Sequence, residues 1–291
     1  RVALVAGATY GTAKRDYRAY KLAGVASSFD LTASRDYDWL APRVGLLFQV
    51  DQDSQVFANL TRSVEPPNFG AYSPSAAAGF APVVPQKAWT GEIGARGRRG
   101  AFAWDIAAYR AELKDELLTF VVDPAHPAAT FNADETVHQG LEAGLDWRFN
   151  KRVRLRQTYA WSDFHFEGDA QYGDNSLPIV PEHLYRAELK YEHPAGWFVA
   201  PAVEWSPRGP FVDYRNKVRA PDYAIASLGA GYTRDGVTVF LDARNLLDKR
   251  YVATVNPLAN SASVTAATIE NTAAFWPGEG RGVFVGVSGK F

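Results

Sequence analysis

The sequence predicts an all-β fold, an antiparallel up-and-down transmembrane β-barrel of about twelve strands. Three observations predict it. Apolar residues recur at every second position in segments spread over the whole chain, the period of a strand with one greasy face. Short polar turns alternate with long loops rich in Gly, Pro, Ala, Ser and Asn. The second face of the same segments carries ionised side chains, and aromatic residues make up 13 % of the chain, enough to furnish interfacial girdles.

Taken in order, the chain opens on "RVALVAGATY", which reads as strand, before a stretch at 13–37 that reads as loop. In "PRVGLLFQV", Val44, Leu46, Phe48 and Val50 alternate with Arg43, Gly45, Leu47 and Gln49. The turn "DQDS" (51–54), a strand and the loop 65–87 follow, then the turn "GRRG" (97–100) and the loop 123–131. "QGLEAGLDWRF" sets Leu141, Ala143, Leu145, Trp147 and Phe149 against Gly140, Glu142, Gly144, Asp146 and Arg148. "FNKR" (149–152) turns the chain, and the loop 165–181 leads to "LYRAELKYE", with Tyr185, Ala187, Leu189 and Tyr191 against Arg186, Glu188, Lys190 and Glu192. After "HPAG" (193–196), the loop 208–221 and "RDG" (234–236), "VTVFLDAR" sets Val237, Val239, Leu241 and Ala243 against Thr238, Phe240, Asp242 and Arg244. The loop 249–278 precedes the last strand. There Val283, Val285, Val287 and Phe291 share one face, opposite Gly282, Phe284, Gly286, Ser288 and Lys290.

The charges decide which face meets lipid. A Lys or Arg facing lipid at mid-bilayer costs about 2–4 kcal/mol, and a domain has only about 5–15 kcal/mol of net stability. Glu142, Asp146, Arg148, Arg186, Glu188, Lys190, Glu192, Asp242 and Arg244 must therefore face water or one another. Short turns on one rim and long loops on the other are the outer-membrane pattern, with the short turns periplasmic. That parity assigns Arg1 and Phe291 to the periplasmic rim. The competing reading is a soluble β-sandwich whose charged face is its outer surface.

Composition narrows the classes. Lys plus Arg (31) and Asp plus Glu (32) leave a net charge of −1, so no basic excess attracts nucleic acid. Cysteine is absent, which removes disulfides, thiol nucleophiles and Cys-based metal sites. Methionine is absent too, including at position 1, so the chain reads as a mature or truncated piece. No secretory signal is visible, and no apolar run is long enough for a spanning helix. The mean hydropathy of −0.22 is that of a soluble protein, but a membrane barrel with a polar lumen averages to the same value.

Several stretches, in order, carry a resemblance. "NLLDKRY" (245–251), a long loop and "PGEGRGVFVGVSGKF" (277–291) resemble the last hairpin of TonB-dependent outer-membrane receptors. "LAPRVGLLFQVDQDSQVFANLTRSVEPPNFG" (40–70) is similar to a recurrent hairpin of that family, and "GEIGARG" and "HQGLEAGLDW" resemble two further strands. The resemblance implies that residues 1–291 are the C-terminal part of a barrel of 22 strands, in the Gram-negative outer membrane. No plug domain or TonB-contacting segment matches. It further implies that Val283, Val285, Val287 and Phe291 form the terminal signal read by barrel-assembly machinery. Alone, an open sheet would leave unpaired edges in lipid, so the chain is expected either to lack its first half or to close as a non-native small barrel.

No catalytic constellation emerges. The five histidines, His126, His138, His165, His183 and His193, form no close ligand pair, so no metal site is assigned. The Gly-rich tail lacks the spacing of a phosphate loop, "DQDS" lacks the Gly and Glu of a calcium loop, and there is no G-x-S-x-G elbow. No cofactor is implied. The long loops instead offer aromatic and cationic side chains: Asn68, Phe69 and Tyr72; Tyr214, Arg215, Lys217 and Arg219; Phe275, Trp276 and Arg281. Such groups suit an anionic, partly aromatic ligand through charge pairing and stacking. The leading expectation is TonB-dependent import of a scarce large solute, an iron–siderophore complex in most of the family, with no covalent chemistry. The alternatives are a self-contained twelve-stranded barrel, as in autotransporter translocators or barrel lipases, and a soluble carbohydrate-binding β protein.

Overall fold

The alternating segments become strands. The structure, a computed structural model, describes residues 1–24, 30–72, 83–120, 129–258 and 275–289. The strands are β1 (Val2–Ala19), β2 (Leu31–Gln49), β3 (Ser54–Glu65), β4 (Gln86–Arg99), β5 (Phe102–Phe120), β6 (Ala129–Arg148), β7 (Val153–Phe166), β8 (His183–Glu192), β9 (Trp197–Ser206), β10 (Tyr223–Arg234), β11 (Val237–Arg244), β12 (Val252–Val255), β13 (Phe275–Pro277) and β14 (Gly282–Gly289). Twelve form one antiparallel meander in sequence order, β1 through β11 and then β14. The short β12 and β13 make a separate pair within the last loop.

All five predicted short turns are present, and local chemistry fixes each. The Asp51 carboxylate accepts from the Asp53 amide at 2.8 Å, and Asn150 Oδ1 accepts from the Arg152 and Val153 amides. Asp235 and Gly236 have φ of 49° and 82°, the left-handed pair that suits a two-residue hairpin. The long connections gather on the opposite rim. One expectation is corrected there: 13–37 is not all loop, because β1 runs on to Ala19 and β2 starts at Leu31.

The registers define two faces. Asp146 stands opposite Arg156, Arg156 opposite Glu188, and Arg186 opposite Glu204, so these charges share one face. Arg154 grips Asp146 through Nε and Nη2, and Arg186 Nε donates to Glu204 at 2.6 Å. Pairs this exposed contribute little stability each; they keep the charges compensated. The other face carries Leu4, Val44, Leu46, Ile93, Ile106, Leu189, Val203, Val239 and Val285, all exposed. A continuous apolar surface of this kind is foreign to soluble monomers.

Aromatic residues bracket that surface. Tyr159, Tyr185 and Trp205 stand in one row of neighbouring strands, and Phe102 faces Trp147 near the short turns. On β9, Trp197 and Trp205 enclose Val199, Pro201 and Val203. They are about 27 Å apart along the strand and about 20 Å after a tilt of about 40°, against an apolar band about 25 Å tall in outer-membrane barrels. The soluble sandwich fails on the same residues, since Leu189 is 43 % exposed and, among the described residues, no packed interior gathers the apolar face.

The sheet is not closed: among the described residues β1 pairs only with β2 and β14 only with β11. The small non-native closure is therefore not formed, and a self-contained twelve-stranded barrel would require the β1–β14 ladder that is missing. The packed apolar clusters lie under the rim loops, around Tyr72, Tyr214 and Val212.

Candidate ligand site at the loop-bearing rim

Described segments of four loops build the rim. After β3, "PPNFGAY" makes a 3-10 turn at Phe69–Tyr72, capped by Asn68, whose Oδ1 accepts from the Ala71 amide at 2.9 Å. Tyr72 turns inward, 1 % exposed, and its hydroxyl meets that of Tyr37. Phe69 turns outward beneath the Arg15 guanidinium, 5.5 Å from the ring centroid. Asn68 and Gly70 line a polar cavity of about 520 Å³ with Glu65, Gln86, Glu116 and Thr119. Glu116, nearly buried, accepts from Thr136 at 2.5 Å and pairs with His138 at 3.2 Å, and His138 stacks on Phe164.

The loops after β7 and β9 are stapled together. Asp213 is fully buried and accepts from the Lys217 and Val218 amides, which closes its loop. Asn216, at φ 55°, exchanges two hydrogen bonds with the Ser176 backbone, and Asn175 donates to the Tyr214 carbonyl at 2.9 Å. Tyr214 is 2 % exposed; its hydroxyl donates to the Thr119 carbonyl at 2.7 Å, and its ring packs on Phe131, Phe166 and Tyr172. Burial holds its phenol protonated well above the ordinary tyrosine range, with the nearby Glu116 adding to the effect.

Between these loops lies a cavity of about 350 Å³, lined by Trp161, Phe164, Glu182, Arg208, Phe211 and Arg219, among others. It sits where the β7–β8 ladder stops and the segment near Ser176 takes over pairing with β7. Phe211 and Arg219 face each other across a bridge, with the guanidinium 3.5 Å from the ring centroid.

The fourth loop, after β11, is organised by Asn245, buried, which binds the Lys249 backbone at both its N–H and its carbonyl and donates to the Glu279 carbonyl. Tyr251 fills the space over Gly278, where a Cβ would lie 2.0 Å from the ring.

The family profile described as "TonB dependent receptor-like, beta-barrel" matches residues 1–246. The chain belongs to this family. Members of the TonB-dependent receptor family are outer-membrane receptors and transporters of Gram-negative bacteria. Among curated relatives, the metal-pseudopaline receptor CntO of Pseudomonas aeruginosa is 26 % identical over 227 residues, covering 72 % of this chain and 30 % of that protein. Among solved structures, the ferric yersiniabactin uptake receptor FyuA of Yersinia pestis superposes with a TM-score of 0.78 at 19 % identity, over 99 % of this chain and 42 % of that one. The copper transporter OprC gives 0.79 at 17 % identity, over 100 % and 46 %. The chain thus spans less than half the length of these relatives.

In this TonB-dependent receptor chain, the residues singled out from sequence divide by environment. Phe69, Arg215, Trp276 and Arg281 are exposed at the rim loops, and Asn68 is exposed while serving as a cap. Tyr72 and Tyr214 are loop-core residues whose hydroxyls are occupied. Val283, Val285 and Val287 lie exposed on the apolar face of β14, and Phe291 lies outside the described residues, as does His126. Among the described residues no three His, Cys, Asp or Glu side chains gather as a metal site. Arg219 belongs to the cationic stretch 209–223 read from sequence, but sequence reading missed Arg208 and Phe211, which lie on the same loop and meet Arg219 in the cavity that the loop after β7 completes. It also missed Asp213, Asn216 and Asn245, although Asn and Asp beside turn signals are a readable mark of loop organisers.

Proposed function

We propose that the receptor carrying this chain sits in the Gram-negative outer membrane and imports a scarce, large, metal-bearing solute, an iron–siderophore complex, with energy delivered through TonB. One observation carries the reading: a rim whose described loop segments are internally hydrogen-bonded stands above a charged, water-facing wall, and it presents Phe69, Arg215, Trp276 and Arg281 outward. Such a surface offers stacking and charge-assisted hydrogen bonds to an anionic chelate. Loops fixed before binding lose little entropy on binding. The names of the relatives, receptors for metal chelates, agree with this class. TonB and the plug it would displace belong to parts of the receptor outside this chain, and outer-membrane lipid and barrel-assembly machinery would contact the apolar face and β14.

The test is uptake of radiolabelled iron as siderophore complexes in an outer-membrane strain carrying the full-length gene. Import that disappears on deletion of TonB is expected. Import untouched by that deletion would refute the mechanism.

A further inference from the structure

The cavity between the β7 and β9 loops holds two guanidinium groups in unequal circumstances. Arg208 is neutralised, its Nη1 donating to the Glu182 carboxylate at 3.0 Å. The other lining carboxylate, Asp163, is engaged by Gln139 and His165. Arg219 makes no ion pair among the described residues; its Nη1 donates to the Gly209 carbonyl at 3.0 Å and its face rests on Phe211. Burial, and then the neighbouring Arg208, draw its pKa below the usual arginine value. Glu182 opposes the shift and offsets only part of it, which leaves the cation partly compensated; arginine stays protonated in proteins.

The position of Arg219 is fixed by the backbone. The Ala220 amide donates to the Pro210 carbonyl at 2.8 Å, and the Phe211–Arg219 bridge locks the stacked pair. Gly209 permits this approach: a Cβ there would lie 1.8 Å from the Ala220 carbonyl oxygen. A guanidinium stacked by its face keeps its in-plane N–H fork for a partner, and that fork matches a planar oxyanion. With a volume of about 350 Å³, the cavity is near the lower limit of small-molecule pockets, about 300–1,000 Å³. It has room for one arm of a chelate and not for the whole.

We propose that this cavity is a subsite for a planar oxyanion of the carboxylate class borne by the transported solute, with Arg219 as principal partner, Arg208 as second, and Trp161, Phe164 and Phe211 as apolar walls. The assignment rests on the import reading and specifies the chemistry of one part of the ligand.

The experiment titrates the detergent-solubilised full-length receptor with citrate at fixed ionic strength, by calorimetry, with tetrahedral sulfate in parallel. Saturable citrate binding is expected, weakened by about tenfold or more in Arg219→Gln, weakened in Arg208→Gln, and little changed in Arg234→Gln, an exposed arginine at a short turn on the opposite rim. Sulfate should bind more weakly than citrate. Heat-modifiable gel migration checks that each variant is folded, and Arg208→Gln alone decides if Arg219→Gln is not. Wild-type citrate affinity in the folded cavity variants, or an equal loss in Arg234→Gln, overturns the subsite. Iron uptake distinguishes this from failure of the import reading. TonB-dependent uptake that is unaffected by Arg219→Gln overturns the subsite alone. Arg219-dependent citrate binding without any TonB-dependent uptake supports the subsite and overturns the import reading.

Discussion

At the residue scale, the polar groups that matter most in this chain hold loops rather than strands. Asp213 accepts two backbone amides from a fully buried position, and no other group replaces it there. Asp213→Ala should destabilise the rim by about 2–4 kcal/mol, because both amides lose a buried acceptor; proteolytic nicking confined to 207–222 would report it. Tyr214 gives a pH signature. Its phenol is held neutral in the fold by burial, whereas the unfolded chain ionises near pH 10. The folded state then binds more protons than the unfolded one above that pH. Loop stability should be flat below about pH 10 and fall above it. In an alkaline absorbance titration, the difference between wild type and Tyr214→Phe should ionise later than the bulk of the 14 tyrosines; ionisation with the bulk would mean an open loop core.

At the element scale, the charged face is thinned at glycines that receive an aromatic ring from the next strand. Phe57 lies against Gly94, Tyr109 against Gly140, and Phe240 against Gly286, each pair directly opposite in register. The three atoms nearest a Cβ at Gly286 all belong to the Phe240 ring, the first at 2.4 Å. The ring restores the packing that glycine lacks. Gly286→Val should therefore cost about 1–3 kcal/mol by overpacking, and close to nothing in a Phe240→Ala background. Urea titrations of refolded protein in vesicles measure the four corners of that cycle. A cost equal in both backgrounds would show that the ring is not the cause.

At the scale of the whole molecule, the two faces of one sheet meet different solvents. Val203 lies between Trp197 and Trp205 on the apolar face of β9, and Ala202 is its neighbour on the charged face. Val203→Lys should cost about 2–4 kcal/mol in a bilayer, while Ala202→Lys should cost under about 1 kcal/mol, since its ammonium stays in water. Folding yield into lipid vesicles, read by heat-modifiable migration, compares them, and equal losses would sink the assignment of faces. The apolar surface does not extend to the strand ends on the loop side. There Arg110, Glu112, Lys114, Glu135 and Gln139 take the same parity as the apolar residues below them and bond to one another. β5 and β6, at 19 and 20 residues, are about twice the 9–11 residues needed to cross a bilayer, so they rise well beyond it.

The sequence by itself determined the strands that cross hydrocarbon, their number, the five short turns and which face is which. A strand with lipid on one side and water on the other must alternate, and a turn of four residues leaves its chemistry in those four residues. The same rule explains what was illegible. Above the bilayer both faces of β1 and β2 meet water, alternation lapses at "KRDYRA" and "SRDYDW", and a strand looks like a loop. Only the tertiary structure decided the rim. Tyr72 and Tyr214 carry the same composition signal as Phe69 and Trp276, yet the first two are buried and the last two exposed. Arg208 and Arg219 lie on one loop that Asp213 closes on itself, and their cavity forms where Asn175 and Asn216 bind that loop to another some forty residues away. Contacts set by loop folding over such distances leave no period in the chain, so they become readable only once the loops are in place.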